Sequence, residues 1–293
     1  MTNRKAQSAP RLTDRIALGA RRARARRHGP ETFLHDIAIG EVKERIELVN
    51  RRFTSTAVVT PFPELWAPHF PGARVTTDGP TLDLEPGAHD LVVHAMALHW
   101  ADDPVGQLVQ ARRALKPDGL FLGVLPGGRT LAELRATLAE WEVATLGGLS
   151  PRVAPMTDIR DAGQLLQRAG FALPVADSVV QTVAYGSLRG LIRDLRHMGE
   201  TNVLAARHRQ PLPRGFWTAA EDIYRRHFAD PDGRLVAIFE MLFLAGWCPH
   251  ESQQKPLRPG AAAHRLADAL GTTEYGPDDA QRTATEDNRE GTS

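Results

Sequence analysis

Three groups of residues carry side chains and spacings that could do chemistry. His99 and Trp100 adjoin each other just past a short apolar run, Asp90 to His94. An imidazole there can transfer a proton, and an indole can stack on a guanidinium or an adenine. The structural alternative is a pair that packs a loop. Glu200 and Asn202 belong to the run Met198-Gly-Glu-Thr-Asn202, which closes a helical pattern. A carboxylate there can pair bidentately with a guanidinium; the alternative is a helix cap followed by a turn. His250, Glu251 and Gln253 cluster after the last apolar run. Adjacent residues on a strand point to opposite faces, and no His-x-x-x-His pair or carboxylate triad accompanies them. The expectation is therefore no metal, and a hydrogen-bonded edge or partner surface instead.

These groups need elements to position them. Asp90 to His94 suits a buried parallel strand. Asp103 reads as an N-cap with Pro104 at the first helical position, and Val105, Leu108, Val109 and Leu115 fall on one helical face. Lys116-Pro-Asp-Gly119 stops that helix, and Leu120 to Leu125 is a second buried strand. The result is a β-α-β unit, the building block of parallel sheets that bind ligands at the carboxyl ends of their strands. Upstream, the periodicity predicts a helix over Glu31 to Arg51 and strands at Thr56 to Thr60 and Ala73 to Thr77. Downstream it predicts helices from Leu131 to about Ala144, from a Thr157 or Asp158 cap to Gly170, from Ser187 to Met198 and from Phe216 to Phe228. Gly147 to Met156, with Arg152, reads as a loop, Val179 to Val183 as a strand, 203–215 as a basic loop and Leu235 to Cys248 as the last strand. Arg152, Thr157 and Asp158 could line the same mouth as Glu200.

Composition narrows the classes. The chain has 293 residues, 42% hydrophobic and 24% charged, which suits one α/β domain with appendages. A net charge of +1 does not announce a nucleic-acid partner. The single Cys248 excludes an internal disulfide and a cysteine metal cluster. No apolar run approaches the ~18–20 residues of a spanning helix; the run Leu235 to Trp247 is interrupted by Glu240. A reducing cytoplasm fits these features. Residues 1–29 hold one acid, Asp14, and the cluster Arg21, Arg22, Arg24, Arg26 and Arg27. That arm reads as a solvated helix suited to peripheral contact with an acidic partner or anionic lipid, and it also has the composition of an organelle transit peptide. The expected organisation is a basic arm over 1–29, a main domain over 30–270 with a helical cap at 185–234, and a disordered acidic tail over 271–293.

The order of a strand opening with Asp90, then Ala97-Leu-His-Trp100, then a helix closing in Leu115-Lys-Pro-Asp-Gly119, resembles the class I S-adenosylmethionine methyltransferases. A narrower resemblance rests on later motifs: GG-x-TL-x-EL from Gly127, SP-x-V-x-P-x-T from Ser150, LL-x-RAGF from Leu165, DLR-x-MGETN from Asp194 and GW-x-x-HESQ-x-KP from Gly246. Together they are similar to mitochondrial complex I assembly factor 5 and its bacterial relatives, from about Asp90 to about Ala262. Malonyl-acyl-carrier-protein methyltransferases share the general fold and the Leu-His-Trp-like loop. The resemblance implies an α/β fold with a mostly parallel sheet, an antiparallel last strand and a helical cap. It implies S-adenosylmethionine as cofactor, with Asp78, Ala95 and Met96 beside it; Asp78 reads equally well as a turn residue before Gly79-Pro80. It implies catalysis at His99 and Trp100, and substrate contacts at Glu200, Asn202, His250, Glu251 and Gln253. The implied substrate is an arginine of a complex I quinone-module subunit, and the activity reported for that family is arginine hydroxylation. The chain departs from the family after its first strand. A Gly-rich turn belongs there, because glycines let the backbone approach the cofactor and leave helix N–H groups free. This chain has Thr60-Pro-Phe-Pro-Glu-Leu-Trp66 instead, and two prolines remove donors. A non-catalytic assembly chaperone on the same fold, or an acyl-carrier or small-molecule methyltransferase, are the alternatives.

Overall fold

In the computed structural model, which describes residues 11–254, one six-stranded sheet organises the chain. Its strands are β1 (Thr56–Val59), β2 (Arg74–Thr76), β3 (His89–Ala95), β4 (Leu115–Pro126), β5 (Ala172–Tyr185) and β6 (Leu235–Trp247), in the order β2-β1-β3-β4-β6-β5. The first four positions run parallel, and β6 runs antiparallel to both β4 and β5. This is the class I methyltransferase-like arrangement, a mostly parallel sheet with an antiparallel last strand.

Every residue of β3 is buried, as expected of a strand covered on both faces. Val58, Val93 and Leu122 face one core with helices α2 (Phe33–Leu48), α5 (Ala132–Leu146), α7 (Leu188–His197) and α8 (Phe216–Phe228). Ala57, Val92 and Phe121 face a second core with α4 (Pro104–Ala114) and α6 (Ile159–Arg168). The caps hold as expected: the Asp103 side chain accepts from Gly106 N at 2.8 Å, and Asp158 rather than Thr157 caps α6 through Asp161 N at 2.8 Å.

Three elements differ from expectation. β4 begins at Leu115 rather than Leu120, since Leu115 already pairs with His89, and Lys116-Pro-Asp-Gly119 lies within the strand. β5 extends well beyond Val179 to Val183, because its pairing with β6 runs from Ala172 to Tyr185. It is an edge strand, and Asp177 and Ser178 hide its alternation. The arm helix α1 (Arg15–His28) is not solvated all round. Leu18, Arg22 and Ala25 are buried, and Leu18 packs with Trp100, Val203 and Leu204. The acidic tail assigned to 271–293 lies outside the described residues, and the main unit ends at Glu251.

Between β1 and β3 the chain holds a four-residue helix α3 (Pro63–Trp66) and the three-residue strand β2 at the sheet edge. The family's fuller set of helices and strands is absent from that interval. The site end of the sheet is therefore built mostly by the segments after β3 and β4.

Candidate functional site

The chain leaves β1 toward β2 on one side and returns to β3 on the other, so the switch point lies between β1 and β3, where open α/β sheets bind ligands. Here the chain's own side chains fill that crevice. Thr60, Phe62 and Trp66 are each at most 1% exposed. Trp66 Nε1 donates to His35 Nδ1 at 3.0 Å, and Phe62 meets the His35 ring edge-on. Burial drives the His35 pKa down to about 4, so its ring is neutral and free to accept from the indole.

Asp78 closes the other side. Arg22 Nη1 reaches both of its carboxylate oxygens, at 2.7 and 2.9 Å, and Arg15 lies 3.6 Å away. Arg22 Nε and Nη2 are buried without partners among the described residues. The space left beside Asp78, lined by Arg15, Ala97 and Gln107, is about 100 Å³. Pockets that hold cofactor-sized ligands run from about 300 to 1,000 Å³.

Beyond β3 the chain turns sharply. Met96 adopts φ 52°, a left-handed conformation that costs a side-chain-bearing residue about 1–3 kcal/mol. Its N–H still donates to Val124 O at 2.8 Å, so the turn is anchored while the side chain lines a cavity. Leu98–Trp100 then forms one 3-10 turn, and Thr13 Oγ1 donates to Trp100 O at 3.0 Å. Ala95 is fully buried at the end of β3.

Glu200 arrives from α7. Glu200 N donates to Leu195 O at 2.9 Å and Gly199 N to Arg196 O at 3.2 Å, the paired bonds of a Schellman motif. Gly199 has φ 76°, and a side chain there would meet Arg22 Cγ at 3.2 Å. The helix cap and the functional carboxylate are thus one feature. The backbone makes the cap, and the side chain reaches the turn after β3. Glu200 Oε2 accepts from Trp100 Nε1 at 2.6 Å and lies 3.0 Å from His99 Nε2. Burial pushes this carboxyl up, but His99, Arg22 and the Trp100 hydrogen bond outweigh it and hold the pKa below the ordinary carboxylate value. His99 Nδ1 is buried and has no partner among the described residues.

The fold therefore brings His99, Trp100 and Glu200 together; Trp100 and Glu200 line a cavity of about 550 Å³ with Met96, and His99 is buried behind Glu200, outside that lining. Asn202 also lines it, but its amide is employed locally, donating to Pro151 O at 2.7 Å and accepting from Leu204 N at 3.1 Å. Arg152 lines it as well, paired to Glu142 at 2.7 Å. Asp78 sits apart in the filled crevice. His250 and Glu251 come after β6, whose end at Trp247 pairs with Leu120, the first β4 residue to meet β6. That is the amino end of the parallel strands, opposite the cavity. Gln253 follows the end of the main unit at Glu251. No group of three metal-ligating side chains occurs among the described residues.

Arg22 reads in the sequence as one of the arm's solvated arginines and His35 does not stand out, yet both belong to this buried cluster. Their signal is the helical stripe: Leu18, Arg22 and Ala25 share one face of α1, and His35, Ala38, Ile39 and Val42 share one face of α2.

Over residues 36–123 the chain matches the methyltransferase domain family. Mitochondrial arginine-hydroxylase NDUFAF5 of Danio rerio is 36% identical over 222 residues, covering 76% of this chain and 69% of that protein. The chain belongs to the NDUFAF5 family of methyltransferase-fold proteins. The human NDUFAF5 arginine-hydroxylase is 38% identical over 192 residues, covering 66% of this chain and 55% of its own length. A malonyl-[acyl-carrier protein] O-methyltransferase of Laribacter hongkongensis is 34% identical over 188 residues, covering 64% and 61%. Glu200 and α1 lie outside the matched methyltransferase domain, so half of the buried cluster does not come from the generic domain.

Proposed function

We propose that this NDUFAF5-family chain serves respiratory complex I assembly as a binding module that works without S-adenosylmethionine. In this reading it receives an arginine-bearing segment of a quinone-module subunit at the Trp100–Glu200 cluster. The observation that carries the reading is the filled crevice between β1 and β3. Phe62 and Trp66 are buried just after β1, where the family resemblance puts the cofactor cradle, the Arg22–Asp78 pair closes the end of β2, and about 100 Å³ remains beside Asp78. Those residues do not fit the cofactor. Glu200 keeps its charge, and the indole of Trp100 supplies a face on which a guanidinium can stack. Oε2 serves Trp100 and His99, which leaves Oε1 for a substrate N–H. No described helix is long and apolar enough to cross a membrane. Membrane contact in this reading is peripheral and cytoplasmic, made by the exposed arginines of α1.

A second reading, modification of that arginine, is favoured by one observation. His99 is held by Glu200 through Nε2, and its Nδ1 is left without a partner among the described residues. In this reading His99 transfers a proton through Glu200, the carboxylate that lines the cavity. The acyl-carrier reading shares the cofactor requirement that the filled crevice does not meet.

Isothermal titration with S-adenosylmethionine and S-adenosylhomocysteine tests the proposal. We expect no heat at millimolar ligand, and saturable micromolar binding sinks it. Pull-down of complex I subunits, with Glu200→Ala and Trp100→Ala compared to the natural chain, separates the readings. Loss of capture with no modified arginine by mass spectrometry supports the binding module, and a modified arginine on the captured subunit moves the conclusion to the second reading.

A further inference from the structure

The cavity beside Glu200 has an electrostatic character that a guanidinium ligand does not use. Its interior is apolar, formed by Leu34, Leu134, Leu138, Ile192, Trp217 and Phe239. At about 550 Å³ it has the size of a small-molecule pocket. Four arginines also line it. Arg152 is neutralised by Glu142. Arg21 and Arg24, three residues apart on α1, and Arg196 in the last turn of α7 have no hydrogen-bond or carboxylate partner among the described residues. Glu200, the one carboxylate among the lining residues, is engaged by Trp100 and His99.

Of the three, Arg21 is half-buried beside the apolar wall, and Arg24 and Arg196 are exposed at its rim. Burial, followed by the charges of Arg24, Arg207 and Arg196, lowers the Arg21 pKa. A guanidinium does not deprotonate in a protein, so the three side chains present a fixed positive rim to the cavity. A second cavity of about 480 Å³ shares Arg21, Leu138, Ile192 and Trp217 with it and adds Arg207, His208 and Arg209 to the basic lining.

We propose that this cavity binds a single-chain amphipathic anion, with its alkyl chain among the apolar residues and a carboxylate or phosphate head on Arg21, Arg24 and Arg196. The chain is excluded from water as in any apolar pocket, at roughly 25 cal/mol per Å² buried. The planar guanidiniums suit the oxygens of the head group. The site does not depend on the arginine-binding reading. It is compatible with it, because a bound anion reduces the positive field that an incoming guanidinium meets.

The test uses the full chain with dodecyl phosphate and dodecanoate below their micelle concentrations, read by calorimetry and by the fluorescence of Trp100 and Trp217. Dodecyltrimethylammonium and dodecyl maltoside serve as controls. We expect saturable binding of both anions and at least ~10-fold weaker binding of the controls. Arg24→Glu and Arg196→Glu, both at exposed positions, should each weaken the anions several-fold without changing the circular dichroism. Ile192→Trp, which fills the interior and leaves the arginines in place, should abolish binding. Equal affinity for the cationic or neutral amphiphile, no saturable binding of either anion, or affinity unchanged by charge reversal overturns the proposal. Sedimentation with phosphatidylcholine vesicles containing phosphatidylglycerol identifies the source of the head group. Competition with dodecyl phosphate assigns it to a membrane lipid, and its absence assigns it to a free amphiphile.

Discussion

Two side chains in the buried cluster make stability depend on pH, in adjacent windows. His35 binds a proton less readily folded than unfolded, since burial lowers its pKa from 6.5 to about 4. Its contribution is therefore complete above pH 6.5 and is lost as pH falls toward 4. A shift of that size corresponds to on the order of 3 kcal/mol. The urea midpoint should fall between pH 7.5 and 5, and His35→Leu should shrink that fall. Some slope should persist in the variant, because burial also lowers the pKa of His94 and of His89. Glu200 acts lower. Its folded pKa lies below the ordinary value of 4.5, so its contribution is present above that value and disappears as pH drops through the folded one. Glu200→Gln should remove that acid-limb loss and cost about 1.5–3 kcal/mol at pH 7, the value of a hydrogen bond to a charged group. A variant as stable as the natural chain would mean that the Trp100 and His99 contacts contribute nothing. His99 and Trp100 stand out in the sequence because their types and their place after a strand are both informative. Their partner's role is only half legible, because a Glu after a helical Gly reads as a cap until the tertiary fold puts Trp100 within 2.6 Å.

At the scale of the element, α1 is the unexpected part. Its arginine run reads as a solvated arm, yet Arg22 is buried on Asp78 and Leu18 is packed beneath Trp100. Removing one partner of a buried ion pair leaves an uncompensated charge, which costs about 3–5 kcal/mol, whereas replacing both partners with apolar residues is often near neutral. Arg22→Met should therefore be more destabilising than the Arg22→Met/Asp78→Leu double variant. Additive losses in denaturant melts would refute the coupling. The reverse holds for α3 and β2. The prolines at 61 and 63 and the short interval before Asp90 predict a missing cofactor cradle, and the structure holds a four-residue helix and a three-residue strand there. That feature is legible because proline and chain length are local properties. The burial of Phe62 and Trp66 in the vacated crevice is not, since it needs α2 to supply His35 across the sheet end.

For the whole molecule, α1 is bound to the domain by an apolar face and by ion pairs, so it belongs to the cooperative unit. A chain lacking residues 1–28 should expose Leu204 and Trp100, leave Asp78 without Arg22, and melt earlier and less cooperatively in calorimetry; an unchanged transition would mean that the arm is an independent appendage. The sequence by itself determined the succession of helices and strands along the chain, because periodicity, caps and stops are read within ten or twenty residues; the sense of the sheet came with the family resemblance. It also determined the family, through motifs spread from Asp90 onward, and the loss of the Gly-rich turn. Only the tertiary structure decided which candidates meet. Glu200 lies 101 residues from His99 and joins it, while His250 and Glu251, equally suggestive in type, lie at the opposite end of the sheet. The physical reason is that strand direction places a residue at one end of the sheet or the other. β6 runs antiparallel, so the residues after it emerge at the amino end of its neighbours, where the cavity is not.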